Sequence, residues 1–377
     1  MRYLSLCVVF ALGFLTLMSM PVWTTVLSSE YSITEIGVGW IAGFEMLGFA
    51  IGSFGFSQKG HVSNARNLCF LGMGIFVLAN LSMLFVESFL SVIVIRSICG
   101  LCEGVIVAFA ARGAIETKAP EKTYGMMNAS IGLIGGAFLV STPFTNGLFG
   151  PRSVFISFAI VGLLTATLVR NIPVICKSDS PRSNLGAFNR VFLSLLFGGI
   201  TLATLVDLGL WAFVDFKALD LELDIAFRTT IFASTAVLSV LGSGVSIIVG
   251  ARFGYLIPMI LSTVAMAVCA VTVGISSTGL QLALGIAFLI FSFQVLIPFV
   301  MGYCAYVDPD GKLVGIVTAL LGIGQALGPP VAGYVLSFGF VALGIVFGIL
   351  CFVSSFMFWA ALNRSEPHRN VRSDSYQ

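Results

Sequence analysis

Long apolar runs separated by short polar stretches make up almost the whole chain. Each run is close to the ~20 residues that an α-helix needs to cross a bilayer, and about twice what a spanning β-strand needs. No run alternates strictly between polar and apolar positions, as a barrel strand would. The pattern predicts an all-α integral membrane protein with twelve transmembrane helices, at 4–26, 36–56, 68–86, 89–111, 124–148, 153–169, 191–214, 229–249, 255–274, 280–307, 313–336 and 340–362.

Composition supports a membrane domain and argues against an enzyme. Apolar residues make up 58% of the chain and charged residues 10%, whereas soluble domains average about 25% charged residues. The connections are too short to hold a soluble catalytic domain, and no metalloprotease motif or nucleophile elbow occurs. No His, Cys and carboxylate cluster has metal-ligand spacing. We therefore expect no catalytic residues, no metal and no cofactor.

The distribution of Lys and Arg predicts the orientation in the membrane. Most of the nineteen fall in the connections on the side of the N-terminus, and the positive-inside rule makes that side cytoplasmic. Both termini are then cytoplasmic in a multi-pass protein of a cell (inner) membrane. The net charge of +2 follows from this topology and requires no nucleic-acid partner. We expect a monomer whose partners are the lipid bilayer, protons and a small-molecule substrate.

The chain divides near its middle. The longest internal polar stretch, 173–190, separates six predicted spans from six, and the Gly-rich segment 128–147 has a Gly- and Pro-rich counterpart at 318–333. Parallel repeats of this kind build transporters with a central site between two bundles. The predicted domains are two six-helix bundles at 1–172 and 191–362, a cytoplasmic linker at 173–190 and a cytoplasmic tail at 363–377.

Three local patterns resemble the major facilitator superfamily. Segment 96–104 resembles the Arg-x-x-x-Gly signature of the family's fourth span, and segment 324–333 resembles the Gly-x-x-x-Gly-Pro motif that many exporters carry in span five, although here it lies in span eleven. Segment 52–61 keeps the glycines of the family's loop between spans two and three but has no aspartate, and 250–254 matches that loop better.

The resemblance implies the fold and the function of a secondary active transporter of this superfamily, similar to drug/proton antiporters. Two six-helix bundles would rock about a central cavity, and the arginine of span four is associated with coupling in proton-coupled members. The missing aspartate puts the usual gating salt bridge of the first loop in question. The residues expected to act as a gate or hinge are Gly324, Gly328, Pro329 and Pro330.

Four charged residues interrupt the apolar runs: Glu45, Arg96, Glu103 and Asp207. A charge at the centre of a membrane helix costs roughly 2.5–3.5 kcal/mol on insertion scales, so it persists where it has a partner or a function. Arg96 and Glu103 lie on one face of a helix but roughly 10 Å apart, too far for direct contact. Either these groups pair with neighbouring helices and lock the bundle, or they face the cavity and take part in coupling and binding.

Four other assignments are open between a structural role in helix packing and a functional role in the cavity. Asp207 is a polar residue of the outer mouth or a coupling site. The possible solute contacts are Asn128, Gln294 and Gln325, each of which can instead hydrogen-bond a neighbouring helix.

The acids outnumber the single intramembrane arginine. This balance favours proton-coupled export of amphipathic cationic or neutral compounds. The alternative is a proton-coupled importer of a small organic anion that pairs with Arg96. A non-transporting membrane sensor or partner protein is a third interpretation, because a fold alone does not establish transport.

Overall fold

A computed structural model describes residues 2–58, 65–115, 117, 120–172, 189–249, 254–308 and 312–364. Eleven helices within these ranges are long and apolar enough to cross a membrane, so the predicted all-α membrane fold is confirmed. The helices are α1 (Arg2–Leu12), α2 (Leu15–Met18), α3 (Met20–Tyr31), α4 (Glu35–Gln58), α5 (Ala65–Ser82), α6 (Phe89–Ile115), α7 (Pro120–Phe149), α8 (Ser153–Ala166), α9 (Arg190–Asp220), α10 (Ile225–Val249), α11 (Leu256–Ile275), α12 (Gly279–Val307), α13 (Lys312–Leu336) and α14 (Phe340–Arg364).

The first predicted span is broken into α1, α2 and α3. Gly13 lies in the turn between α1 and α2, and Ser19 separates α2 from α3. Pro21 stands in the first turn of α3. It has no backbone N–H and cannot bond the carbonyl oxygen of Leu17, four residues earlier, so the helical ladder is interrupted there. The prediction of one continuous helix is wrong for this span.

The seventh span is longer than predicted. The apolar run ends at Val214, but α9 continues to Asp220. Lys217, three residues beyond that run, is buried in the last turn of α9 and donates a 2.7 Å hydrogen bond to Asp220. Hydropathy marks where a chain leaves the apolar core, whereas a helix can continue wherever its charged side chains find partners.

The helices form two packed groups. In the first, α4 and α5 pack against α6, α5 packs against α8, and α1 packs against α7. In the second, α9 packs against α13 and α14, α10 against α12, and α11 against α12 and α14. These groups are the two bundles of the predicted fold, here called the N-bundle and the C-bundle. The domain limits at 172 and 190 stay predictions, because 173–188 and 365–377 lie outside the described residues.

The two bundles meet mainly in one half of the membrane. We call the face that carries Arg2 and Arg364 the inner face. The principal inter-bundle pairs are α3 with α9, α4 with α13, and α7 with α10. A Cβ at Gly39 of α4 would lie 3.0 Å from the carbonyl carbon of Pro329 in the outer half of α13. The contacts extend just past the middle, where a Cβ at Gly322 of α13 would lie 3.5 Å from that of Ala50. The interface described here is therefore closed on the outer side.

Candidate functional site

Glycines bring α4 and α6 into close contact around the intramembrane charges. A Cβ at Gly100 of α6 would lie 2.7 Å from the carbonyl carbon of Glu45, and one at Gly104 would lie 2.6 Å from the amide nitrogen of Ser53. Small residues of this kind let membrane helices approach backbone to backbone. The approach places the side chain of Glu45 within reach of the next turn of α6.

Glu45 and Arg96 form a bidentate ion pair in the interior of the N-bundle. Arg96 Nε donates a 2.8 Å hydrogen bond to Glu45 Oε2, and Nη2 bonds the other carboxylate oxygen. Both side chains are fully buried. Nη1 of the same guanidinium donates to Asn80 Oδ1 at 3.3 Å, and the ring centroid of Trp23 lies 4.4 Å from Arg96 Cζ. A buried charge is tolerated in an apolar interior when it is paired with an opposite charge and hydrogen-bonded, as this guanidinium is.

Glu103 lies two turns further along α6 in the same interior. Thr16 of α2 donates a 2.6 Å hydrogen bond to Glu103 Oε1, while Oε2 is buried without a hydrogen-bond partner among the described residues. Among those residues no direct bond joins Glu103 to Arg96, as their spacing predicts. The cluster therefore contains two carboxyl groups and one guanidinium from α4 and α6, with hydrogen-bond partners from α2 and α5.

The break in the first span links this cluster to the C-bundle. Trp23 Nε1 donates to the carbonyl oxygen of Thr16 at 2.9 Å. The carbonyl oxygen of Leu17, which Pro21 cannot bond, accepts a 3.1 Å hydrogen bond from Nε1 of Trp211 on α9. Backbone groups freed by a broken membrane helix are satisfied here by two indole rings, one from each bundle.

Asp207 lies in the C-bundle, apart from the other three intramembrane charges. It lies in the central part of α9, partly exposed, one helical turn before Trp211. Among the described residues its carboxylate has neither a hydrogen bond nor an ion pair with any side chain. The structure thus separates it from the other three intramembrane charges, which it brings together.

A second buried ion pair was missed by sequence reasoning. Asp215 of α9 is buried, and Arg228 of α10 donates to its Oδ1 at 2.8 Å and also bonds its Oδ2. Asp215 directly follows the last residue of the predicted run, so the hydropathy pattern does not include it among the intramembrane charges. The pair joins the outer ends of α9 and α10.

The predicted solute contacts are dispersed. Gln294 of α12 donates a 2.7 Å hydrogen bond to Ser239 of α10, so it joins two helices of the C-bundle. Asn128 is exposed on α7, and Gln325 is partly exposed on α13. The structure does not bring these three side chains to one place, and their contact with a solute stays a prediction.

The predicted gate residues lie on two packed faces of α13. A Cβ at Gly324 would lie 2.6 Å from the carbonyl oxygen of Thr201 on α9. Gly328 faces the same helix, whereas Pro329 and Pro330 face α4 of the other bundle. These residues form the seam between the bundles, and a hinge motion there stays a prediction. Of the two loop patterns, residues 59–61 and 250–253 lie outside the described residues.

Two solved structures share this fold. The chain matches one described as a "D-xylose-proton symporter" with a TM-score of 0.74 and 14% identity, over 97% of this chain and 98% of that one. It matches another, described as "A Bacterial Homolog to Human Lysosomal Transporter, Spinster, in Inward-facing And Unoccupied Conformation", with a TM-score of 0.74 and 14% identity, over 96% of each chain. No family model and no curated protein matches the chain.

These matches identify the fold. The chain shares the fold of these two transporters along nearly its whole length, so the fold predicted from the sequence is confirmed. The similarity is one of architecture at low sequence identity. What the chain moves and in which direction must be argued from its own residues.

Proposed function

We propose that the protein is a secondary active transporter that works by alternating access and exchanges protons for an amphipathic cationic or neutral compound. The observation that carries this proposal is the buried cluster of Glu45, Arg96 and Glu103 within a fold that two transporters share. Two carboxyl groups next to one guanidinium supply a site whose charge changes when a proton binds.

Charge balance supports Glu103 as the group that carries the proton. Glu45 is neutralised by Arg96 through a bidentate pair, whereas Glu103 has one oxygen on Thr16 and one without a partner among the described residues. An uncompensated carboxylate in an apolar interior is costly, and the neutral acid avoids that cost. In the state with a closed outer side Glu103 then holds a proton, which it releases when the bundle rearranges and water or Arg96 reaches it.

The alternative, import of a small organic anion, uses Arg96 as the anion's partner. Arg96 is fully buried, holds Glu45 with two hydrogen bonds and reaches Asn80 with a third. An anion would have to displace a carboxylate that already accepts two hydrogen bonds from the guanidinium. This geometry supports exchange of a proton for a cation over anion import.

The orientation proposed from the sequence fits the helix ends. Arg112, Arg190 and Arg364 all lie at helix ends on the inner face. We propose that this face is cytoplasmic, that the membrane is the plasma or inner membrane, and that transport in this direction is efflux by a monomer. No enzymatic step is needed for such a cycle.

Proton flux in proteoliposomes tests the proposal. Vesicles loaded with a pH-sensitive dye receive amphipathic cations, small organic anions or neutral sugars, with and without the purified protein. We expect a cation to drive protein-dependent proton movement. Glu103→Gln is expected to remove that movement while leaving exchange of labelled cation across vesicles at equal pH, because a neutral amide mimics the protonated acid.

Glu87→Gln is the matched control, because Glu87 lies exposed between α5 and α6. It should behave as the unmodified protein does. Proton movement driven by anions and dependent on Arg96 would establish the importer instead. Absence of counterflow for every class would favour the sensor or partner interpretation.

A further inference from the structure

The inner ends of α5 and α8 lie side by side in the N-bundle. These helices run in opposite directions, and a Cβ at Gly162 of α8 would lie 3.1 Å from side-chain atoms of both Phe76 and Val77 on α5. Ten residues after Gly162 the chain reaches Ile172, and ten residues before Phe76 stands Arg66. Because a helix rises about 1.5 Å per residue, Ile172 and Arg66 arrive together at the inner end of this helix pair.

A hydrogen bond from Arg66 joins the two helices at this end. Its Nη2 donates a 3.0 Å hydrogen bond to the carbonyl oxygen of Ile172. Arg170 stands two residues before Ile172, in the 3₁₀ turn that follows α8, so the Cα atoms of these two residues are within about 8 Å. Asn171 of the same turn donates a 3.2 Å hydrogen bond to Ser5 of α1, which holds the turn in place. Two arginines therefore share the inner end of the groove between α5 and α8.

The positive charge of these arginines has no acidic partner among the described residues. None of the ion pairs there includes Arg66 or Arg170. Nε of Arg66 is buried without a hydrogen-bond partner in the same part of the chain, whereas Arg170 is exposed. Among the described side chains of the inner face the acid is Asp308, which lies in the other bundle and bonds the backbone N–H of Leu313. A buried donor without an acceptor is costly, so an anion with several oxygens suits this end of the groove.

The two arginines lie at the level expected for lipid headgroups. The membrane-length parts of the two helices are Ala65–Ser82 and Ser153–Asn171. Arg66 and Arg170 are each one residue from the inner limit of these stretches. Basic pockets between spans on the cytoplasmic side of a membrane bind anionic headgroups, and the inner face is the one proposed above to be cytoplasmic.

The same groove becomes apolar towards the middle of the membrane. Leu163 lies seven residues before Arg170, on the same face of α8, and is 64% exposed. On α5, nothing lies within 4 Å of the Cβ position of Gly74. Acyl chains that descend from a phosphate bound at the arginines would lie against this surface.

We propose that Arg66 and Arg170 bind the phosphate of an anionic phospholipid whose acyl chains follow the groove between α5 and α8. Guanidinium groups bind phosphate oxygens through two parallel hydrogen bonds, which favours this headgroup. A phospholipid fits better than free phosphate, because the groove continues from the charged end into the apolar part of the membrane. The site belongs to one bundle, so it depends neither on the transported solute nor on the direction of transport.

Lipid binding to the purified full-length protein in detergent tests this site. Delipidated protein receives dioleoylphosphatidylglycerol, dioleoylphosphatidylcholine or inorganic phosphate, and binding is followed by native mass spectrometry and by the rise in melting temperature. We expect the anionic lipid to bind more tightly than the zwitterionic lipid, and phosphate to give no rise. Arg170→Gln should weaken binding of the anionic lipid about 5-fold, because one basic residue near an anionic lipid surface contributes about 1 kcal/mol. Adding Arg66→Gln should increase the loss to roughly 25-fold.

Arg364→Gln is the matched control, because Arg364 is exposed at the inner end of α14 in the other bundle. It should bind the anionic lipid as the unmodified protein does. Arg170→Gln is the decisive variant, since Arg66 also holds the chain at Ile172. Equal affinity of Arg170→Gln and Arg364→Gln for the anionic lipid would overturn the proposal, as would equal affinity of the unmodified protein for the two lipids. A rise in melting temperature with inorganic phosphate as large as that with the anionic lipid would also overturn it, because the site would then take a soluble anion.

Discussion

At the scale of single residues, the ion pair of Glu45 and Arg96 dominates the interior of the N-bundle. A buried pair of this kind costs a large desolvation free energy, so its net contribution to stability is small while both partners are present. Removing one partner leaves the other charge buried and unpaired. The pair thus behaves as a unit, and its partners are best tested together.

A double-mutant cycle makes this expectation quantitative. Arg96→Met should lower the free energy of unfolding by about 3–5 kcal/mol, because Glu45 is left unpaired. Adding Glu45→Gln should recover a part of that loss, giving a coupling free energy within about 0.5–3 kcal/mol. Denaturation in detergent, followed by circular dichroism, measures all four proteins.

Glu30→Gln supplies the control for this cycle. It removes the partner of Arg152 from a pair whose side chains are about a third exposed, and exposed pairs contribute less than about 1 kcal/mol. Additive losses in the buried pair would contradict the bidentate geometry.

At the scale of helices, the contact between α4 and α6 holds the cluster in place. Gly48 and Gly52 of α4 face the backbone of α6 around Leu101, and Gly100 faces Glu45 in return. These glycines let the backbones of the two helices approach closely. The break in the first span serves the same cluster, because it presents Thr16 to Glu103.

Gly100→Ala tests the importance of this contact. The new Cβ would meet the backbone of Glu45, so the helices must separate and the carboxylate must move relative to Arg96. We expect a loss of about 1–3 kcal/mol in stability, measured as a lower melting temperature. Gly55→Ala on α4 is the control, because nothing lies within 4 Å of its Cβ position. Its melting temperature should stay unchanged or rise, since Ala favours a helix by about 1 kcal/mol over Gly.

At the scale of the whole molecule, transport requires the seam between the bundles to open and close. The contacts of α4 with α13 run from the outer face to the pair Ala50 and Gly322. A motion that opens the outer side must separate this seam. A covalent bond across it should therefore stop the cycle without disturbing either bundle.

Ala50→Cys combined with Gly322→Cys tests this expectation. The two Cβ positions are 3.5 Å apart, within the range of about 3.5–4.5 Å that a disulfide requires. We expect mild oxidation to produce the cross-linked peptide, detected by mass spectrometry, and to stop solute exchange until a reductant is added. Each single variant, treated identically, controls for the native cysteines. Full exchange with the disulfide in place would show that the seam does not open.

Hydropathy alone predicted the all-α membrane fold, eleven of the membrane-length helices and the four intramembrane charges. These features are local, because the cost of placing a polar side chain in lipid depends on that residue and its immediate neighbours. The tertiary structure decided that Glu45 and Arg96 pair, that Thr16 and Trp23 complete their surroundings, and that Asp207 stays unpaired. It also revealed the broken first span and the pair of Asp215 with Arg228. Such contacts depend on which helices lie side by side, and residues 51 positions apart, as Glu45 and Arg96 are, carry no sequence signal of their proximity.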